Sequence, residues 1–156
     1  MPTVLFVCTA NRFRSPIAAA CFHRELDLRK PAGDWHVLSA GTWTSDGMPA
    51  MPGAIRSANQ LGLDISRHAS RVITPAVMSM ADLVLVMEHG HKEALQLEFP
   101  ESAHKVYMLS EAATGISYDI ADPVTSAAAQ DVDVPGQIEQ LIHEGFDRIC
   151  SLVSDH

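Results

Sequence analysis

Cys8 is followed six residues later by Arg14 and then by Ser15-Pro16, in the run Val-Cys-Thr-Ala-Asn-Arg-Phe-Arg-Ser-Pro, residues 7–16. Apolar residues precede the run and a helix-forming stretch follows it, so it reads as a tight turn from a buried strand into a helix. Successive amides in such a turn converge into an anion nest, and the N-terminus of the following helix adds partial positive charge. A thiol facing that nest is favoured as the thiolate, its nucleophilic form. Arg14 is spaced so that the loop can curl back and fork two N–H donors onto a tetrahedral oxyanion. The Ser15 hydroxyl can donate to the thiolate. These groups together suit displacement at phosphorus through a thiophosphoryl intermediate, with the cradle stabilising charge on the equatorial oxygens. A buried cysteine beside two surface arginines is the plainer reading, and the complete constellation at a strand–helix junction disfavours it.

The elements that must position these groups can be read from hydrophobic pattern. Thr3–Val7 is a nearly continuous apolar run, as in a strand buried on both faces of a parallel sheet. Ser15 as N-cap and Pro16 in the first turn open a helix bearing Ile17, Ala18, Ala19, Ala20, Phe22 and Leu26. Trp35–Ala40 is a second strand ended by Gly41, and Pro52–Leu61 a helix stopped by Gly62. Leu83–Met87 is a wholly apolar strand, His89–Leu97 a helix and Val106–Leu109 a fourth strand. A long loop then leads past Pro135 to a C-terminal helix with Ile138, Leu141, Ile142, Phe146, Ile149 and Val153 on one face. This alternation predicts a doubly wound α/β sandwich with a short parallel sheet, in which ligands bind beyond the carboxyl ends of the strands at the switch point. The turn after the first strand occupies that place.

Composition sets the bounds. The 156 residues predict one domain spanning 1–156, and 47% hydrophobic against 19% charged residues predicts a full core. A net charge of −8 disfavours nucleic-acid and anionic-membrane partners, so any anion site must be built locally against the overall field. No stretch approaches the roughly 18 apolar residues of a membrane span, and the first residues show neither a basic leader nor a cleavage site. Three scattered cysteines, Cys8, Cys21 and Cys150, make neither a disulfide framework nor a zinc site. The expectation is a cytoplasmic, reduced protein without cofactor, a monomer or weak dimer. His89-Gly90-His91 lacks a third metal ligand at recognisable spacing, so a solvated helix start is expected there and no metal.

The stretch VLFVCTANRFRSP, residues 4–16, resembles the active-site signature of the low-molecular-weight protein tyrosine phosphatases: cysteine, five residues, arginine and serine. SAGT (Ser39–Thr42), HASR (His68–Arg71), LVLVME (Leu83–Glu88) and ADP (Ala121–Pro123) fall in that family's order and rough spacing. The resemblance implies a flavodoxin-like three-layer sandwich with a four-stranded parallel sheet and a phosphate loop after strand 1. It also implies a phosphorylated protein or small phosphomonoester as partner. By position, Cys8 would be the nucleophile, Arg14 the phosphate clamp and Ser15 the thiolate's partner. Asn11 would hold the loop in a strained shape, with Thr9, Ala10, Arg12 and Phe13 completing it. Ser39 and His68 match a polar network that braces the loop from behind.

A thiolate displacement needs an acid for the leaving group and then a base for water, and one carboxyl can serve in both steps. Ser117-Tyr-Asp-Ile-Ala-Asp-Pro-Val-Thr-Ser126 lies in the long loop after the last strand, and its Asp122-Pro123 matches the family's Asp-Pro acid. Proline restricts the preceding residue to extended conformations, which helps hold the carboxylate. Asp119 is the competing carboxylate.

The chain departs from the family pattern at four places. Ala10 stands where glycine is usual, and its methyl restricts φ > 0. Phe13 stands where many eukaryotic members carry a second cysteine that can trap the oxidised thiol, so weak protection of Cys8 against over-oxidation is expected. Arg12 replaces a small, apolar or hydroxyl residue and adds positive charge beside the pocket, which would suit an acidic or multiply charged substrate. Val124-Thr125 follow Asp122-Pro123 where aromatics are common, leaving Phe13 and Trp43 to supply pocket walls. A metal-independent phosphomonoester phosphatase directed at phosphotyrosine in proteins is the leading expectation. Arsenate reduction coupled to internal thiols is disfavoured because residues 82–100 contain no cysteine, which leaves only a reductase using an external thiol. A phospho-ligand-binding module without turnover is a second alternative. Phosphoarginine ranks low because a cationic Arg12 should repel a guanidinium.

Overall fold

The computed structural model describes residues 2–31, 33–127 and 132–154. Four strands, β1 (Thr3–Cys8), β2 (His36–Gly41), β3 (Leu83–Val86) and β4 (Val106–Met108), form one sheet in the order β2-β1-β3-β4. Every pairing is parallel, with Leu5 opposite Leu38 and Val84, and Val86 opposite Met108. The helices are α1 (Arg14–Arg29), α2 (Pro52–Gln60), α3 (Pro75–Met80), α4 (His89–Glu98), α5 (Leu109–Thr114) and α6 (Val134–Ser154), with a 3-10 turn at Pro100–Lys105.

Period-two alternation along the strands builds two cores, one on each face of the sheet. Val4, Phe6 and Cys8 of β1 and Leu83 and Leu85 of β3 pack with Ile17, Phe22, Ile138, Ile142 and Phe146 of α1 and α6. Leu5, Val7, Val84 and Val86 pack on the other face with Val77 and Met78 of α3 and Leu95 of α4. Phe22 anchors the first core, stacked on Phe146 at 5.2 Å and tilted against Phe6 at 5.7 Å. The result is the expected α/β sandwich of three layers. Because β1 is flanked by β2 on one side and β3 on the other, the chain leaves it in opposite directions, and a crevice opens above its carboxyl end.

The expected elements fall within a few residues of those observed, with two additions and one shift. α3 begins at Thr74, whose Oγ1 accepts the Val77 amide at 3.1 Å, with Pro75 in the first turn. The loop expected after β4 starts with α5, which Gly115 ends in the left-handed conformation at φ 84°. Both helices are six residues long, too short for an amphipathic period to stand out. Ser15 is not the N-cap of α1: the helix starts at Arg14, Phe13 holds the cap position, and the Ser15 hydroxyl is engaged inside the site.

Candidate active site

The loop from Cys8 to Arg14 is held open by bonds to its carbonyls. Thr42 N donates to Cys8 O at 3.0 Å, Trp43 N to Thr9 O at 2.9 Å and Met51 N to Arg12 O at 2.9 Å. His68 Nε2–H donates to Asn11 O at 2.6 Å. A trans peptide points its C=O and N–H in opposite directions. With the carbonyls of Cys8, Thr9, Asn11 and Arg12 drawn outward, the amides of Thr9, Ala10, Arg12 and Phe13 turn inward. Amides turned inward at the mouth of a helix such as the 16-residue α1 can serve as an anion nest.

Asn11 makes the turn possible. Its φ of 57° is left-handed, a conformation asparagine tolerates better than most residues. Its side chain is fixed at both ends, Oδ1 accepting the Arg71 amide at 2.9 Å and Nδ2 donating to Ser15 Oγ at 2.8 Å. The Ser15 hydroxyl hydrogen is thereby left for Cys8 Sγ, 3.0 Å away. Ala10 needs no positive φ, because the left-handed residue is its neighbour. The constraint expected from its methyl is absent.

Arg14 is buried at 2% exposure, and its charge is matched on two sides. Nη1 donates to Glu88 Oε2 at 2.6 Å and to Ile120 O at 2.8 Å, while Nη2 stands 3.8 Å from Asp122 Oδ2. A guanidinium so deeply buried keeps its place only with such partners. Asp122 forms an Asx-type turn, Oδ1 accepting the Val124 amide and Oδ2 the Thr125 hydroxyl, both at 2.9 Å. Cys8, Thr9, Ala10, Arg12, Phe13, Arg14, Trp43, Met51, Asp122, Val124 and Thr125 surround one cavity of about 190 Å³.

A model of the low molecular weight phosphotyrosine protein phosphatases matches residues 3–153. The chain belongs to that family. It is a cysteine-dependent phosphatase. A probable low molecular weight protein-tyrosine-phosphatase, EpsP, of Ralstonia nicotianae is 37% identical over 121 residues, 78% of this chain and 77% of its own. A protein-arginine-phosphatase of Bacillus subtilis is 31% identical over 141 residues, 90% of this chain and 92% of its own. The crystal structure of a low molecular weight protein tyrosine phosphatase from T. tengcongensis superposes with a TM-score of 0.84 at 31% identity, covering 95% of this chain and 99% of that one.

In this phosphatase the fold brings Cys8, Arg14 and Asp122 to one cavity from β1, α1 and the loop after α5. Asp119, the competing carboxylate, is not among the residues around the cavity and accepts the His89 amide at the start of α4 at 2.7 Å. Arg12 lies at the cavity wall with its Nε donating to Pro49 O at 2.8 Å, so it is tethered rather than free in solvent. Trp43 stands at the cavity mouth, 84% exposed.

Two expectations need correction. Ser39 sits within β2 opposite Phe6, and among the described residues the loop is braced instead by Thr42, Trp43, Met51, His68 and the Arg71 amide. The SAGT motif matters through its glycine: a Cβ on Gly41 would lie 2.7 Å from Thr9 O and 3.1 Å from Ala10 C. His89 and His91 are also not one solvated pair. His89 is exposed, but His91 is 7% exposed and bonds Thr9 Oγ1 through Nε2 at 2.9 Å.

Glu88 and His91 are the site residues that sequence reasoning missed. The available signal was topological: an ionisable side chain just beyond a wholly apolar strand next to β1 lands beside the loop at the switch point. His68 and His91 are both held below the ordinary histidine value, chiefly by burial. For His68, the Asn11 carbonyl opposes that shift and Arg71 adds to it, and for His91, Arg14 adds to it.

Proposed function

We propose that this phosphatase hydrolyses phosphomonoesters, phosphotyrosine in proteins above all, through a cysteinyl-phosphate intermediate. The observation that carries the reading is the convergence of the Cys8 thiol, the Arg14 guanidinium and the Asp122 carboxyl on one cavity floored by inward amides. In the first step Cys8 Sγ attacks phosphorus while the loop amides and Arg14 hold the equatorial oxygens. The P–O bond to the leaving group breaks, and Asp122 gives its proton to the departing oxygen. In the second step the Asp122 carboxylate takes a proton from water, whose oxygen attacks phosphorus. The S–P bond breaks, inorganic phosphate forms, and the thiolate returns to its hydrogen bond from Ser15.

Phe13, Trp43, Met51 and Val124 give the cavity apolar walls suited to an aryl leaving group. Arg12 at the same wall would repel the guanidinium of a phosphoarginine and suits a substrate with further negative charge. Internal thiol exchange of the kind arsenate reduction uses is poorly served, since burial pushes both the Cys21 and Cys150 thiols up to about 12.

Hydrolysis of p-nitrophenyl phosphate in the presence of a chelator tests the chemistry. Cys8→Ser should abolish turnover, and Asp122→Asn should lose on the order of 10²-fold with poor leaving groups. Full activity in Cys8→Ser would sink the mechanism. A wild-type protein that binds phosphate without turnover would show a binding module instead, and a phosphoarginine peptide hydrolysed faster than its phosphotyrosine counterpart would overturn the substrate assignment.

A further inference from the structure

One buried titratable side chain beside the phosphate loop takes no part in the chemistry above. His91, in the first turn of α4, has both ring nitrogens engaged. Nδ1 lies 3.2 Å from the Glu88 backbone nitrogen, which can only donate, so Nδ1 accepts. The proton of the neutral ring is therefore on Nε2, and Nε2–H donates to Thr9 Oγ1 at 2.9 Å. A hydroxyl that accepts through a lone pair keeps its own proton to give. The ring cannot take that proton, because its other nitrogen already accepts from Glu88, and Thr9 lines the cavity.

We infer that His91 is a positioning residue that fixes the Thr9 hydroxyl as a donor into the cavity, adding a side-chain hydrogen bond to the bound phosphoryl group. The inference rests on the reading of the cavity as a phosphoryl site. The same ring braces the clamp: Glu88, whose amide it accepts, holds Arg14 Nη1 at 2.6 Å, and Glu88 Oε2 stands 3.7 Å from His91 Nε2. One imidazole thus ties the end of β3 to the loop after β1.

The charged groups facing the ring are Arg14 from α1, Glu88 from the β3–α4 junction, and Asp119 and Asp122 from the loop after α5. Burial and Arg14 favour the neutral ring, against the pull of the three carboxylates. A protonated ring would present Nδ1–H to the Glu88 N–H, donor against donor, so the arrangement belongs to the neutral form.

The test is the inhibition constant of inorganic phosphate against p-nitrophenyl phosphate hydrolysis. It is measured for the wild type, Thr9→Val, His91→Leu, the double variant and His91→Gln. Each of the first two variants should weaken phosphate binding on the order of tenfold, the value of a hydrogen bond to a charged group. The double variant should be no weaker than the worse single, because both remove one bond. His91→Gln, whose amide N–H can still donate to Thr9, should recover most of the loss. Additive losses in the double variant, or wild-type phosphate affinity in Thr9→Val, would overturn the inference. Thr9→Val alone decides the matter if His91→Leu does not fold. A wild-type protein that neither binds nor releases phosphate would instead refute the phosphatase chemistry itself, a separate outcome.

Discussion

Arg14 and Cys8 show how much one residue depends on its partners. Arg14 carries a permanent charge at 2% exposure, held by Glu88, the Ile120 carbonyl and Asp122. Its spacing from Cys8 was legible in the sequence, but its anchor was not, because Glu88 lies 74 residues away and no local pattern joins them. Cys8 raises the question of oxidation. All three cysteines are free, Phe13 occupies the place of a neighbouring thiol, and Cys21 and Cys150 are pushed up to about 12 by burial, leaving them poor partners for exchange. Mild peroxide should therefore drive Cys8 beyond the sulfenic acid to the sulfinic acid, read by mass spectrometry. A clean Cys8–Cys21 disulfide would contradict this.

At the scale of elements, the site is a strand end, a loop and a helix start pressed against the end of a second strand. β1, β3 and α1 were legible because an apolar run and a Ser-Pro helix signal are local. The junction between β2 and the phosphate loop was not, since it depends on backbone passing within contact distance. Gly41 marks that contact: a Cβ there would meet Thr9 O at 2.7 Å, Thr44 Cγ2 at 2.9 Å and Ala10 C at 3.1 Å, and backbone atoms cannot turn away as a side chain can. Gly41→Ala should cost about 1–3 kcal/mol of stability by overpacking and lower kcat/KM by displacing the loop. Gly53→Ala is the control, because its Cβ would meet Phe13 Cε2 and Arg56 Nη2 at 3.6 and 3.7 Å, ordinary contacts. Equal losses in the two variants would count against a special role for Gly41.

Over the whole molecule, a half-buried histidine, His68, and a buried one, His91, tie the loop to distant parts of the chain and make stability depend on pH. His68 bonds Asn11 across 57 residues and His91 bonds Thr9 across 82. Both have folded-state values below the ordinary 6.5, so on acidification the unfolded chain takes up these protons first. The unfolded state then binds more protons, and stability falls as pH drops below about 6.5. Thermal unfolding should show Tm falling from pH 7.5 to pH 5.5, with a shallower fall in His68→Gln. A Tm that is flat or rises on acidification would refute this account.

The sequence by itself determined what depends on near neighbours: the parallel α/β class, the strand-to-helix turn, and the spacing of thiol, guanidinium and Ser-Pro. Asp122 was chosen over Asp119, three residues earlier, by its Asp-Pro resemblance, and the tertiary structure sets the two apart, Asp119 at the start of α4 and Asp122 beside Arg14. It likewise brought Gly41 against the loop, made His91 a buried partner of Thr9, and paired Glu88 with Arg14. The physical reason is common to all of these. Pattern along the chain reports which residues prefer burial or a turn, whereas hydrogen bonding and close approach are decided by which strand ends the sheet order β2-β1-β3-β4 sets side by side.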